Sequence, residues 1–93
     1  MSTPQMFMVR DKSGGIYWLT VGGDADAATI RVDYETPAYR DDDGNFYPVF
    51  KRPVFSGEYH AGDSLLRSFI RDLRGQGLNA LAEMLSSGRA SRD

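Results

Sequence analysis

The sequence predicts an α+β fold: an antiparallel β-meander of four or five strands followed by a two-helix hairpin packed on one face. Three observations predict it. Apolar residues alternate with a period of two in short runs from Met6 to Tyr59. Glycine, aspartate and proline clusters punctuate those runs at short intervals. From Asp63 to Leu85 the period changes to that of a helix, broken once at Gly75-Gln76-Gly77.

The first strand is expected over about residues 5–10, where Phe7 and Val9 alternate with Met6 and Met8. Asp11-Lys12-Ser13-Gly14-Gly15 supplies a turn whose glycines can take positive φ. Ile16 to Val21 is the strongest strand pattern, with Ile16, Trp18 and Thr20 facing one way and Tyr17, Leu19 and Val21 the other. After a turn at Gly22–Asp26, Ala28, Ile30 and Val32 form an apolar face opposite Thr29, Arg31 and Asp33. This strand can extend through Tyr34 and Glu35 until Pro37 interrupts it.

A further hairpin is expected from Ala38-Tyr39-Arg40 and Phe46-Tyr47, joined by Asp41-Asp42-Asp43-Gly44-Asn45. Asp-Gly favours the mirror-image turns that match strand twist. Pro48 and Pro53 bracket Val49–Arg52, which reads as an edge or as chain partly off the sheet, before a short extended piece through Val54, Phe55 and Tyr59. In the helical stretch, Asp63 is the expected N-cap of a helix over 64–74. Leu66, Phe69, Ile70 and Leu73 cluster on its inner side with Leu65 at the border, and Arg67, Arg71 and Arg74 share an outward stripe. Gly75 is expected to end it in the left-handed conformation. A second helix is expected over 78–85, with Leu78, Leu81, Ala82 and Leu85 inward and Gly88 as its stop. The expected organisation is a loose N-terminus at 1–4, one domain over 5–86 and a free tail over 87–93, unanchored from Arg89 onward.

With 93 residues, 41% apolar and 12% aromatic, the chain suits one small folded domain. Absence of cysteine excludes disulfides and zinc–thiolate chemistry. The first ten residues hold no basic stretch followed by an apolar run, and no apolar run is long enough to span a bilayer. The expected location is therefore cytoplasmic. Net charge is -2 but uneven. Residues 23–48 carry seven acidic against two basic side chains, which disfavours a generic DNA-binding surface and suits a basic partner.

No motif for catalysis accompanies these elements. The Asp41–Asn45 cluster fails as a calcium loop, because with Gly44 at the sixth position the first and twelfth ligands would be Tyr39 and Phe50. His60 is the only histidine, and Glu58 and Asp63 nearby provide neither a nucleophile nor oxyanion donors. The paired glycines lie between strands, whereas a nucleotide loop runs from a strand into a helix. The expectation is a protein that is not an enzyme and needs no cofactor or metal.

The feature left over is an excess of aromatic residues in the proline-bounded ribbon, Tyr34, Tyr39, Phe46, Tyr47, Phe50 and Phe55, some of them beside acids. Tyr34, Tyr39, Arg40, Asp41, Asp42, Asp43, Phe46 and Tyr47 are the candidate partner-binding residues, since tyrosine and arginine within a charged rim typify protein contact surfaces. Alternatively these rings build a second small core. Arg67, Arg71 and Arg74 form a secondary candidate surface that could touch phosphates.

The order of elements, and Ser64 to Leu85 with Gly75-Gln76-Gly77-Leu78 leading into the second helix, resembles some small phage-encoded anti-CRISPR proteins. That resemblance implies a tiny, acidic, non-enzymatic inhibitor acting in the cytoplasm of a bacterial host by occupying a surface of a CRISPR effector complex. The expected function is accordingly a non-catalytic protein-binding accessory or inhibitor protein, directed at a basic surface of a nucleic-acid-handling complex. A small nucleic-acid-binding domain using the arginine-bearing helix and a self-associating structural protein are the alternatives.

Overall fold

The computed structural model describes residues 4–24, 26–60 and 64–88 and the backbone of 91–92. Among the described residues, seven strands and two helices follow one another: β1 (Gln5–Arg10), β2 (Ile16–Gly23), β3 (Ala27–Thr36), β4 (Tyr39–Arg40), β5 (Phe46–Tyr47), β6 (Phe50–His60), α1 (Leu65–Gly75), α2 (Asn79–Ser86) and β7 (Ser91–Arg92). β6, β3, β2 and β1 form an antiparallel sheet in that order, with the two residues of β7 added beside β1. β4 and β5 pair only with each other.

Register explains how the alternation is used. Phe7 and Val9, Tyr17, Leu19 and Val21, Ile30 and Val32, and Phe55 and Tyr59 stand on one face, because directly paired residues share a side. The helical hairpin covers this face, α1 over β6 and α2 over β1. The core comprises Val9, Leu19, Ile30, Val32 and Tyr59 from the sheet with Phe69, Leu73, Leu81, Ala82 and Leu85 from the helices. The Phe69 ring sits between those of Phe55 and Tyr59, at 5.6 and 6.3 Å. The Tyr59 hydroxyl also donates to Asp72 Oδ2 at 2.9 Å, tying α1 to β6. Burial, then that carboxylate, pushes the Tyr59 phenol well above its ordinary value.

The opposite face carries Met6, Met8, Ile16 and Trp18 beside charged residues of β3 and β6. Trp18 is held there by Lys51, whose Nζ lies 5.2 Å from its ring, and by donation from Nε1 to Glu35. Asp33, buried among these neighbours, pairs with Arg31 at 3.3 Å.

Several expectations are corrected. The segment bracketed by prolines is one continuous eleven-residue strand with the later extended piece, not two short fragments. Pro53 fits because β6 is the outermost strand, the edge position expected of this segment, and the register shifts opposite it, between Val32 and Asp33. Gly75 remains helical, and Gly77 is the left-handed residue, φ +80°. The Leu78 amide reaches the Leu73 carbonyl at 2.8 Å and the Gly77 amide that of Arg74 at 3.1 Å, the paired bonds of a Schellman cap. α2 starts one residue later than expected, at Asn79, and ends at Ser86 with Gly88 at φ +72°. Leu66, expected inward, is 57% exposed; Phe69 and Leu73, one turn apart, make the buried stripe instead. The end of the chain, expected free, offers Ser91 and Arg92 to the open edge of β1, opposite Met8 and Phe7. The proposed Asp63 cap lies outside the described residues, and Ser64 occupies the N-cap position without a side-chain bond. Among the described residues no helix is long and apolar enough to cross a membrane.

Candidate protein-binding site

β3 and β6 stay paired from Ala27↔His60 to Thr36↔Phe50, and the β4–β5 hairpin continues from their far end. β4 and β5 contact chiefly each other rather than the helices or the four-stranded sheet. The hairpin is thus the end of an arm. The molecule measures 53 × 27 × 20 Å, and its radius of gyration of 14.9 Å exceeds the roughly 12 Å of a compact chain this long.

The tip is built by its own side chains. Tyr39 and Tyr47 are cross-strand partners on one side of the ribbon, their rings stacked at 4.7 Å and 14°. Arg40 and Phe46 are partners on the other, the guanidinium 5.5 Å from the ring and also donating to the Gly44 carbonyl at 3.0 Å. Asp41 organises the turn: Oδ1 accepts the amides of Asp43 and Asn45, and Oδ2 accepts from the Asn45 side chain and the Tyr47 hydroxyl. Within this turn Gly44 alone takes positive φ (+86°), and among the described residues no non-glycine does so. Both mirror-image turns need positive φ at the first central residue, here Asp43, which lacks it, so the loop is the longer type ending in a left-handed glycine.

The question whether the rings are exposed or form a second core has a clear outcome at the tip. Tyr39 is 52% exposed, Phe46 59% and Phe50 61%, and Tyr47 and Val49 are also exposed. Phe55 belongs to the main core instead. Tyr34, grouped with the tip by its sequence position, lies apart in β3. Its ring packs on Tyr17 at 4.7 Å and its hydroxyl donates to Asp11 Oδ2 at 2.8 Å. It locks the β1–β2 turn to β3.

The structure therefore brings Tyr39, Arg40, Asp41, Asp42, Asp43, Phe46 and Tyr47 together and leaves Tyr34 elsewhere. Within the group, Asp41 and Arg40 are occupied in holding the turn, while Asp42 and Asp43 are exposed beside the rings. Phe50, counted in the aromatic excess but not among the expected site residues, and Val49 both join the tip; their position between Pro48 and Pro53, where inward-facing alternation fails, was the available signal. Arg67, Arg71 and Arg74 are exposed as expected, but Arg71 lies 3.5 Å from Asp72 and Arg74 3.5 Å from Glu83. His60 and Glu58 are exposed at the end of β6. Among the described residues no three acidic or histidine side chains are grouped to hold a metal ion.

The bonds Asp41 accepts, first from the Asn45 amide, hold its carboxyl below the ordinary value of 3.8. Because the folded value is depressed, the stabilisation of the turn is present above the unfolded value and is lost as pH falls through the folded one. Acid titration followed by NMR is expected to shift the Asp43 and Asn45 amides below pH 3.8 while amides of β2 keep their positions. Movement of those two amides at or above pH 5 would sink this reading of Asp41.

Neither a family model, nor a curated protein, nor a solved structure matches this chain.

Proposed function

We propose that the chain is a non-catalytic protein-binding accessory or inhibitor protein whose contact surface is the β4–β5 tip. Its concrete form is occupation of a basic surface on a nucleic-acid-handling complex, such as a CRISPR effector. The observation that carries the reading is the group of four rings, Tyr39, Phe46, Tyr47 and Phe50, left exposed at the end of an arm. Apolar rings held out in water are a standing cost that burial in a complex removes, at roughly 25 cal/mol per Å² of apolar surface covered. The stacking of Tyr39 on Tyr47 and the Asp41 bonds preorganise the tip, so little conformational freedom is lost on docking. Asp42 and Asp43 add complementarity to a basic rim on the partner.

Phe46→Asp is expected to leave stability within about 0.5 kcal/mol of wild type, because the ring is exposed. The same change should weaken capture of a host partner at least about tenfold, the loss of a central aromatic anchor. Parallel pull-downs with wild-type and variant bait, followed by titration of the captured protein, measure both. Equal affinity of the two baits would remove the tip from the contact. A steep salt dependence of oligonucleotide binding, lost on replacing Arg67, Arg71 and Arg74, would support the nucleic-acid alternative instead.

A further inference from the structure

A second apolar surface, left uncovered among the described residues, lies at the other end of the molecule. Phe7, Val21, Leu65, Leu66, Phe69 and Leu85 line a furrow of about 300 Å³ between α1 and the sheet, at the far end of the strands from the arm. That volume is at the lower limit for ligand pockets and suits an inserted side chain better than a cofactor. Leu66, 57% exposed, stands at its mouth and also borders the adjoining groove, where Arg67 is the one charged residue among the described lining.

The two surfaces are complementary. The tip offers exposed rings and two exposed carboxylates, Asp42 and Asp43. The furrow offers an apolar slot beside a guanidinium. A tip cannot reach the furrow of its own chain while β3 and β6 remain paired. Six residues of strand separate Ile30, which lines the furrow, from Thr36 at the root of the arm, about 20 Å in the direction away from it. The fit is therefore available only between copies.

We propose that the β4–β5 tip of one copy docks in the α1–sheet furrow of a second copy, forming a head-to-tail assembly. This rests on reading the tip as a protein contact surface and names a second copy of this chain as an occupant. Taken head to tail, the contact is heterologous and propagates into chains or closes into rings; a reciprocal two-fold pair, each tip in the other's furrow, would stop at a dimer and overturn the head-to-tail arrangement. In such an assembly the rings are covered, and any other partner of the tip competes with self-association.

Sedimentation velocity on the full chain over a concentration series tests this. Wild type is expected to show a progressive rise in sedimentation coefficient. Phe46→Asp, with a blocked tip, and Leu66→Asp, with a blocked furrow, should each weaken association by about tenfold or more. Both positions are exposed, and unchanged circular dichroism verifies the fold; Arg67→Glu is the second furrow variant should Leu66→Asp perturb it. An equimolar mixture of the tip-blocked and furrow-blocked variants retains one good tip and one good furrow, so it should yield a discrete heterodimer and nothing larger. A wild type that stays monomeric, a single variant that still assembles, or a mixture without heterodimer would each overturn the head-to-tail contact. Phe46-dependent capture of a different protein by a monomeric wild type would overturn this inference while leaving the tip as a contact surface. Self-association and capture that both ignore Phe46→Asp would remove both.

Discussion

Leu73→Ala is expected to lower the unfolding free energy by about 2–5 kcal/mol. Leu73 is fully buried, and its carbonyl also accepts the amide of Leu78 in the cap between the helices. Its side chain belongs to the core that both helices form with the sheet, so closing the hole requires α1 to shift against its neighbours. A domain of this size has about 5–15 kcal/mol in total, so the variant loses a large share of it. At about 4–8 °C per kcal/mol, the midpoint should fall by some 10 °C or more. Urea unfolding monitored by Trp18 fluorescence measures this, and an unchanged slope would locate the effect in the folded state. Leu66→Ala is the matched control. The two leucines share the inner stripe in the sequence pattern, yet Leu66 is 57% exposed, and its truncation should cost no more than about 0.5 kcal/mol. Equal losses would mean that α1 is rotated so that Leu66 also faces the core.

Gly15→Ala is expected to cost about 1–3 kcal/mol, by overpacking and not by backbone strain. A Cβ at Gly15 would overlap the hydroxyl of Tyr34 and lie 2.9 Å from its Cε1. Gly14 is the residue of this turn with positive φ, at +91°; Gly15 carries no such requirement and is buried beneath the ring. The methyl group would have to displace Tyr34 from Tyr17 and from Asp11, whose carboxyl the Ser13 and Tyr34 hydroxyls hold below its ordinary value. A double-mutant cycle separates the causes. In a Tyr34→Ala background, Gly15→Ala should cost little, giving a coupling energy of nearly the whole single-mutant effect. An undiminished cost in that background would assign the role of Gly15 to its backbone.

How much was legible in the sequence follows from the range of each interaction. Strands, helices and the antiparallel order depend on periodicities and turn residues a few positions apart, and these appear in the structure with shifts of one or two residues at most helix ends and turns. Gly75 and Gly77 illustrate the margin: both can take the left-handed conformation, and the choice of Gly77 depends on which carbonyls the Gly77 and Leu78 amides can reach. The fusion of two segments into β6 was harder to see. Pro53 is a local stop signal, and only an edge position with a register shift makes it harmless. For the candidate site, the aromatic and acidic excess was legible, but the division of labour was not. Asp41 and Asp42 are neighbours of identical type, yet one is bound into the turn and the other exposed.

By itself the sequence determined the α+β class, the helical hairpin over one sheet face, the absence of thiol chemistry and the outward stripe of Arg67, Arg71 and Arg74. These rest on composition and on patterns repeated within single elements, which neighbouring segments reinforce. Only the tertiary structure decided that Tyr34 belongs to the body and Tyr39 to the tip, although they are five positions apart, and that Leu66 stands at the mouth of a furrow. Burial at such positions depends on where an element ends relative to its cover. The helices reach across Ile30 and Val32 but not beyond Thr36, so similar rings become core on one side of that boundary and exposed surface on the other.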